Sequence, residues 1–332
     1  DFAVHGGDVA YGLSSGTGPG TYRTLDDWFF NVYKDWLRSR PMFPSLGNHD
    51  SNASNDDGQH YLDAFVLPEN GGDGAYPDHA ERSYSFDYGP VHVVVLDTEL
   101  AFQNTSRRAA QLAWLNADLA ATSRPWKVAV FHRSPYSSGG EHGSDLTVRA
   151  AFGPVFEDHG VQLVLSAHEH DYERTIPIGG VTYVVTGGGG GPLYAAGSAS
   201  FTAASASRYH YMRGEASECT LKLDAVGTDG SVFDTVSLTR CAPPPSSGDD
   251  IVLYAKDAPV VQGAWRHQTE MSAAGGALLR HPNAGAAKLT AALANPVNYF
   301  EMTFDAEAGV PYHLWIRSKA DSNGWANDSV FV

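Results

Sequence analysis

Ser166-Ala167-His168-Glu169-His170-Asp171-Tyr172-Glu173-Arg174 follows directly on the apolar run from Val161 to Leu165. A short apolar run of this kind reads as a buried strand, and a strand ending in His-x-His carries two imidazoles out of the sheet edge together. Neutral imidazole binds transition metals, so the stretch points to a metal site at a strand end. Read alone, such a pair more often marks two surface histidines.

Three further segments share the construction. Gly7-Asp8-Val9-Ala10-Tyr11, Gly47-Asn48-His49-Asp50 and Val130-Phe131-His132 each follow a short apolar or β-branched run and close it with a carboxylate, amide, phenol or imidazole. Singly each has a plainer reading: a turn at Asp8, a packed ring at Tyr11, a tight turn after Gly47, a strand-end histidine at His132. In this order, together with His168 and His170, they resemble the metallophosphoesterase superfamily, whose blocks read GDxxY, GNH(D/E), an isolated His after a strand and GHxH. Tyr11 and the run Tyr172-Glu173-Arg174 narrow the resemblance to purple acid phosphatases. It covers roughly residues 1 to 240.

The resemblance implies a two-sheet β-sandwich flanked by helices, carrying two cations around a shared Asp8. It assigns Asp8, Tyr11 and His170 to one ion, and Asp8, Asn48, His132 and His168 to the other. A phenolate suits a trivalent ion, so Tyr11 points to iron(III), while an amide and two imidazoles suit a divalent ion such as zinc, manganese or ferrous iron. Two ions about 3.5 to 4 Å apart hold the attacking and leaving oxygens of phosphoryl transfer, with metal-bound hydroxide attacking phosphorus in line. His49 matches the family's outer-sphere histidine, the choice for general acid or phosphate donor, and His142 its second substrate-facing histidine. A solvated loop histidine is the alternative for His142.

There are departures. The family's opening Asp-x-Gly block, which supplies one more aspartate to the iron, does not precede Asp8, and we expect the chain to be truncated there. Asp1 cannot replace it, lying about 20 Å away along an extended chain. Ala167 stands where the family has Gly and would crowd the turn if that position needed positive φ. Asp50 stands where Glu is common. Glu169 should point away from the ions by strand alternation, Arg174 should tie the His-x-His loop to an acidic side chain, and Gly187 to Gly191 should form a tight loop beside the site. The remaining histidines, His5 among them, fit no block.

Periodicity places helices from Thr24 to Pro41, opened by a capping box at Thr24, and over Arg108 to Ala121 and Asp145 to Asp158. Strands are expected at Phe43 to Leu46, Ser83 to Phe86, Val91 to Leu96, Lys127 to Phe131, Val161 to Leu165 and Val181 to Val185. This alternation is α/β, with the site at strand ends. Thr220 to Thr239 reads as a hairpin around Asp229-Gly230, which brings Cys219 and Cys241 close enough for a disulfide. A bridge argues for an oxidising compartment, so a secreted or periplasmic location is expected; two free thiols are the alternative.

At 332 residues two domains are expected: a catalytic domain over 1–241, a Pro/Ser/Gly linker over 242–248 and a partial all-β sandwich over 249–332. In the last part, Ile251 to Ala255, Leu289 to Leu293, Tyr299 to Phe304 and Tyr312 to Ile316 read as strands. It weakly resembles a jelly-roll carbohydrate-binding module. Trp265, Trp315 and Trp325 read first as core residues and second as platforms for a glycan partner.

A net charge of −16, from 38 acids against 22 bases, disfavours nucleic acid and anionic lipid as partners. No apolar run reaches the roughly 18 residues of a membrane span. A small phosphorylated substrate is an anion too, so its site must make its own positive field, which bound cations provide. The sequence therefore points to a dimetal hydrolase of phosphomonoesters. One rival is a phosphodiesterase or nucleotide pyrophosphatase on the same ions. The other is a glycan-binding protein on an impaired phosphatase-like scaffold.

Overall fold

The computed structural model describes residues 1–11, 20–51, 58–71, 81–240, 251–270, 273–282, 289, 291–306, 312–316 and 318. Cys241, the linker 242–248 and Trp325 lie outside the described residues. The chain divides into two compact units, Asp1–Ala242 and Pro243–Val332.

In the first unit β1 (Ala3–His5) pairs in parallel with β2 (Met42–Pro44). Between them lie α1 (Tyr22–Leu25), a π-helical turn over Asp26–Phe30, and α2 (Asn31–Leu37). The capping box is there, one turn earlier than expected: Thr21 is the cap and Thr24 its reciprocal partner. A short α3 (Gln59–Ala64) leads to β3 (Tyr84–Tyr88) and β4 (Val91–Val95). Then come α4 (Leu100–Gln103), α5 (Thr105–Ala121), β5 (Trp126–Val130), α6 (Leu146–Asp158) and β6 (Leu163–Ser166). β7 (Tyr172–Thr175), β8 (Thr182–Thr186) and β9 (Thr202–Ala206) complete a seven-stranded sheet of order β3-β4-β5-β6-β8-β7-β9. β10 (His210–Ala216), β11 (Thr220–Gly227) and β12 (Val232–Thr239) form an antiparallel sheet of their own.

Side-chain alternation decides what covers the large sheet. Val91, Val93, Val95, Val128, Val130, Leu163 and Leu165 face a core shared with Leu46 beyond β2 and with Leu221, Leu223 and Val236 of the small sheet. Val94, Ala129 and Val164 face the other way, against Leu115 and Leu119 of α5 and Val148, Phe152 and Phe156 of α6. The α/β class, with sheets packed on one face and helices on the other, is as expected. Because β4, β5, β6 and β8 run parallel, their carboxyl ends and the loops that follow gather along one edge.

The hairpin Thr220 to Thr239 forms as read, and Arg240 N–H donates to the Cys219 carbonyl at its open end. Arg174 ties to Asp234 on that hairpin, as the expected acidic partner.

The second unit carries β-ladders, as expected, but mostly from other strands than those read in the sequence. Its ladders pair β13 (Val260–Val261) with β16 (Phe300–Glu301) and β14 (Arg266–Thr269) with β15 (Ala277–Arg280). Of the four expected strands, only the one around Phe300 lies in a ladder among the described residues. A strand exists only where a partner strand takes its hydrogen bonds, which local apolar content does not report. Trp265 packs edge-on against Phe300 and His281. Trp315 is 88% exposed, so the core reading fails for it.

Candidate metal centre

Asp8 and Asn48 reach the site from parallel neighbours, β1 and β2, so their loops leave the same end. The β1 exit turns sharply, with positive φ at Gly7 (90°) and Asp8 (53°). A side chain at Gly7 has no room, since a Cβ there would lie 2.8 Å from His132 Nδ1. A non-glycine residue held in the left-handed region costs free energy and tends to mark a functional turn. His168 is the second such residue, at φ 69°.

β6 stops at Ser166, so His168 and His170 lie on a turn and not on an extending strand. The positive φ falls on His168; Ala167 escapes it and is accommodated, its Cβ 2.9 Å from where a Gly6 Cβ would stand. The strand-alternation argument for Glu169 is thereby replaced. Glu169 does point away, because its buried carboxylate accepts the backbone N–H groups of Glu141 (3.0 Å), His142 (2.7 Å) and Gly143 (3.0 Å).

The donors converge on Asp8. Its Oδ2 lies 3.2 Å from His132 Nε2 on one side and accepts the Tyr11 hydroxyl at 3.3 Å on the other. On the Tyr11 side, the phenol oxygen is 3.1 Å from His170 Nε2. On the His132 side, Nε2 is 3.0 Å from Asn48 Oδ1 and 3.1 Å from His168 Nδ1. One ligand atom each from Asp8, His132 and His168 lies within 4.8 Å of the others. The six expected ligands thus fall into two sets that share Asp8.

The set fits cations. His132 Nδ1 bonds the Gly6 carbonyl and His170 Nδ1 the Pro192 carbonyl, each at 2.8 Å, which leaves both Nε2 atoms free for a ligand bond. Burial disfavours the Asp8 anion, yet the neighbouring His132 imidazole holds its carboxyl well below the usual range. Burial likewise disfavours a charged His132, but Asp8 outweighs it and raises the imidazole to about 9. A proton on His132 therefore stands where a cation would otherwise balance Asp8. Burial and the nearby His132, His142 and Arg133 depress His168 to about 2, so it is neutral, as a ligand must be. Burial and Asp8 push the Tyr11 phenol far up, so only a strong local positive charge makes it a phenolate.

The His49 ring packs at a tilt against Tyr11, ring centroids 4.3 Å apart, with Nε2 4.0 Å from Asp8 Oδ2. Its backbone N–H donates to Asp8 Oδ1 at 2.9 Å. His142 stacks on His168 at 3.8 Å. His5 is half-buried behind the site, and desolvation lowers it to about 4, consistent with its lack of a block. The glycine loop does lie beside the site: a Cβ at Gly191 would sit 2.7 Å from the His170 ring. Asp1 is elsewhere, its carboxylate 3.4 Å from Arg40 at the surface.

Sequence reading missed several contributors. Asp50 accepts from Val9 N–H (3.0 Å) and Gly47 N–H (3.0 Å), binding the Asp8 and Asn48 loops together; its only signal was its place in the block. Tyr194 stacks flat on His170 at 4.3 Å, and no local pattern announces it. Glu99 pairs with Arg133, next to His132.

Comparison with known proteins supplies the family. The model of the calcineurin-like phosphoesterase family matches residues 1–172. Human acid phosphatase type 7 is 30% identical over 199 residues, covering 54% of this chain and 41% of that protein. Purple acid phosphatase 21 of Arabidopsis thaliana is 30% identical over 185 residues, covering 51% and 41%. The chain thus spans well under half the length of these relatives. Among solved structures, a purple acid phosphatase from yellow lupin aligns with TM-score 0.61 at 22% identity, over 72% of this chain and 46% of that one. GAP50, the anchor in the inner membrane complex of Plasmodium, aligns with TM-score 0.55 at 16% identity, over 73% and 79%. At such identities the likeness concerns the fold. With its family blocks gathered around Asp8 and the family model matched over more than half its length, the chain belongs to the calcineurin-like phosphoesterase family.

Proposed function

We propose that this chain carries the catalytic part of a dimetal phosphomonoesterase of the purple acid phosphatase type. The observation that carries the reading is the Asp8 carboxylate, flanked by Tyr11 and His170 on one side and by His132, Asn48 and His168 on the other. Iron(III) on the Tyr11 side and zinc, manganese or ferrous iron on the other would supply Lewis acidity and an activated water. Asp8 would be the ligand held in common by the two ions, and the carbonyls of Gly6 and Pro192 orient His132 and His170. His49, beside Asp8, would deliver a proton to the leaving oxygen, and His142 would face the substrate. A Cys219–Cys241 bridge and a secreted or periplasmic location complete the proposal, as does a glycan partner for the second unit.

Elemental analysis with a visible spectrum tests it. Two metal ions per chain and a phenolate-to-iron charge-transfer band, lost in Tyr11→Phe, are expected. In Asp8→Asn both ions and the turnover should go together. Less than one metal per chain would favour the binding-protein reading, and faster diester than monoester cleavage would favour the phosphodiesterase. Among the described residues no helix is long and apolar enough to cross a membrane.

A further inference from the structure

Five glycines, Gly187 to Gly191, carry the chain out of β8 and past the His-x-His turn. Two of them pass too close to it for any side chain. A Cβ at Gly187 would stand 1.9 Å from the Glu169 carbonyl oxygen, and one at Gly191 would stand 2.7 Å from His170 Cε1 and 2.8 Å from its Nδ1. The Gly187 N–H donates to the Asp171 carbonyl and the Tyr194 N–H to the His170 carbonyl, each at 3.0 Å, so the loop is pinned to the turn at both ends. Between these pins Pro192 turns its carbonyl to His170 Nδ1 at 2.8 Å. Tyr194 lays its ring flat on the imidazole, centroids 4.3 Å apart and planes 4° from parallel.

We infer that Gly191 to Tyr194 form a clamp on His170, in which Tyr194 is a positioning residue for the cation on the Tyr11 side and not for the other. The inference rests on the dimetal reading above. His170 is buried, and its ring is held at Nδ1 by a carbonyl, along Cε1 by Gly191 and on one face by Tyr194. Nε2, 3.1 Å from the Tyr11 hydroxyl, is the ring nitrogen left to face the ion. A ligand held in place beforehand has less rotamer freedom to lose when the ion binds. The stack acts on charge as well: an imidazole bonded to a cation carries part of its positive charge, which the electron-rich face of a phenol favours. Both effects belong to the ring, so the hydroxyl should be dispensable.

Tyr194 is seated in its turn. The Ser207 hydroxyl donates to its carbonyl, and the His142 ring meets it edge-on, centroids 5.6 Å apart. His168, on the other side of Asp8, has a cover of its own in the stacked His142 ring, which makes the two sides separable. Tyr194 is half-buried, so truncating it opens no cavity in the core.

Chelator titration of the metal-loaded protein tests this, with the charge-transfer band reporting the Tyr11-side ion and elemental analysis reporting both. Tyr194→Ala should release the Tyr11-side ion at about tenfold or more lower chelator concentration, the usual effect of losing a group that orients a metal ligand. The second ion should leave at the wild-type concentration. Tyr194→Phe should behave as wild type, because the ring remains. In the metal-free protein the His170 Nδ1–H, hydrogen-bonded to Pro192, should give a slowly exchanging NMR resonance in wild type and Tyr194→Phe that Tyr194→Ala loses to exchange with water. Wild-type retention of the Tyr11-side ion in Tyr194→Ala, equal weakening of both ions, or failure of Tyr194→Phe to rescue would overturn the inference. If the wild type takes up no iron and shows no band, the proposed function fails on its iron side, while the resonance still decides the clamp: equal persistence in Tyr194→Ala refutes it, and selective loss upholds it.

Discussion

Replacing Glu169 with Gln should release the loop that carries His142. The Glu169 carboxylate is fully buried and accepts three backbone N–H groups, two at Oε2 (His142, Gly143) and one at Oε1 (Glu141). In its better orientation the amide oxygen serves the pair, and the NH2 group then opposes Glu141 N–H. One charge-assisted bond is lost, about 1.5–3 kcal/mol, and two others fall from charged to neutral strength, for a total of about 3–5 kcal/mol. The loop can open without the sheet, so the loss appears first as local exchange. Hydrogen–deuterium exchange at residues 141–143 should accelerate by at least about a hundredfold, given about 1.36 kcal/mol per decade. The β4 and β5 amides should change far less. Exchange within about threefold of wild type at 141–143 would refute the idea that this carboxylate anchors the loop.

Three other outcomes are expected. Gly47→Ala should strip the site of cations, because a Cβ there would stand 2.2 Å from Asp8 Oδ1; a normal metal content by elemental analysis would sink this. Arg174→Met should cost about 1–3 kcal/mol in urea unfolding, since Arg174 meets Asp234 at 2.6 and 3.0 Å and holds β7 to the hairpin; an unchanged midpoint would contradict it. His92 sits between Asp118 (2.7 Å) and Asp87 (2.8 Å). Burial lowers its pKa, but these partners outweigh burial and raise it above the ordinary 6.5. Its stabilisation is therefore full below 6.5 and lost as pH climbs through the higher folded value. His92→Gln should flatten the decline in melting temperature over that alkaline range, and parallel profiles would count against it.

The elements that were legible are those whose burial is written in local pattern. The runs Val91-His92-Val93-Val94-Val95 and Lys127 to Phe131 are apolar on both faces because both faces are covered, and α5 and α6 carry the 3.6-residue stripe. β7 hid because its charges find buried partners: Glu173 takes the Ser138 N–H and hydroxyl, and Arg174 takes Asp234. β9, Thr-Ala-Ala-Ser-Ala, has too little apolar contrast to declare a strand, and its ladder with β7 makes it one. In the second unit, runs that looked like strands lack ladders among the described residues, while Arg266–Thr269 acquires one from Ala277–Arg280.

Residue chemistry and chain order, read through the family resemblance, were enough to nominate six candidate ligands, since carboxylate, phenol, amide and imidazole donors in a given succession are local facts. Which nitrogen of each candidate histidine turns toward the Asp8 cluster, and which faces a carbonyl or Arg133, was decided only by the fold. So was the replacement of strand alternation by a left-handed turn at His168, and the gathering of Glu99, Glu169 and Tyr194 around the centre. These contacts join residues far apart in the chain, and their geometry follows from sheet order and packing, which no local window of sequence encodes.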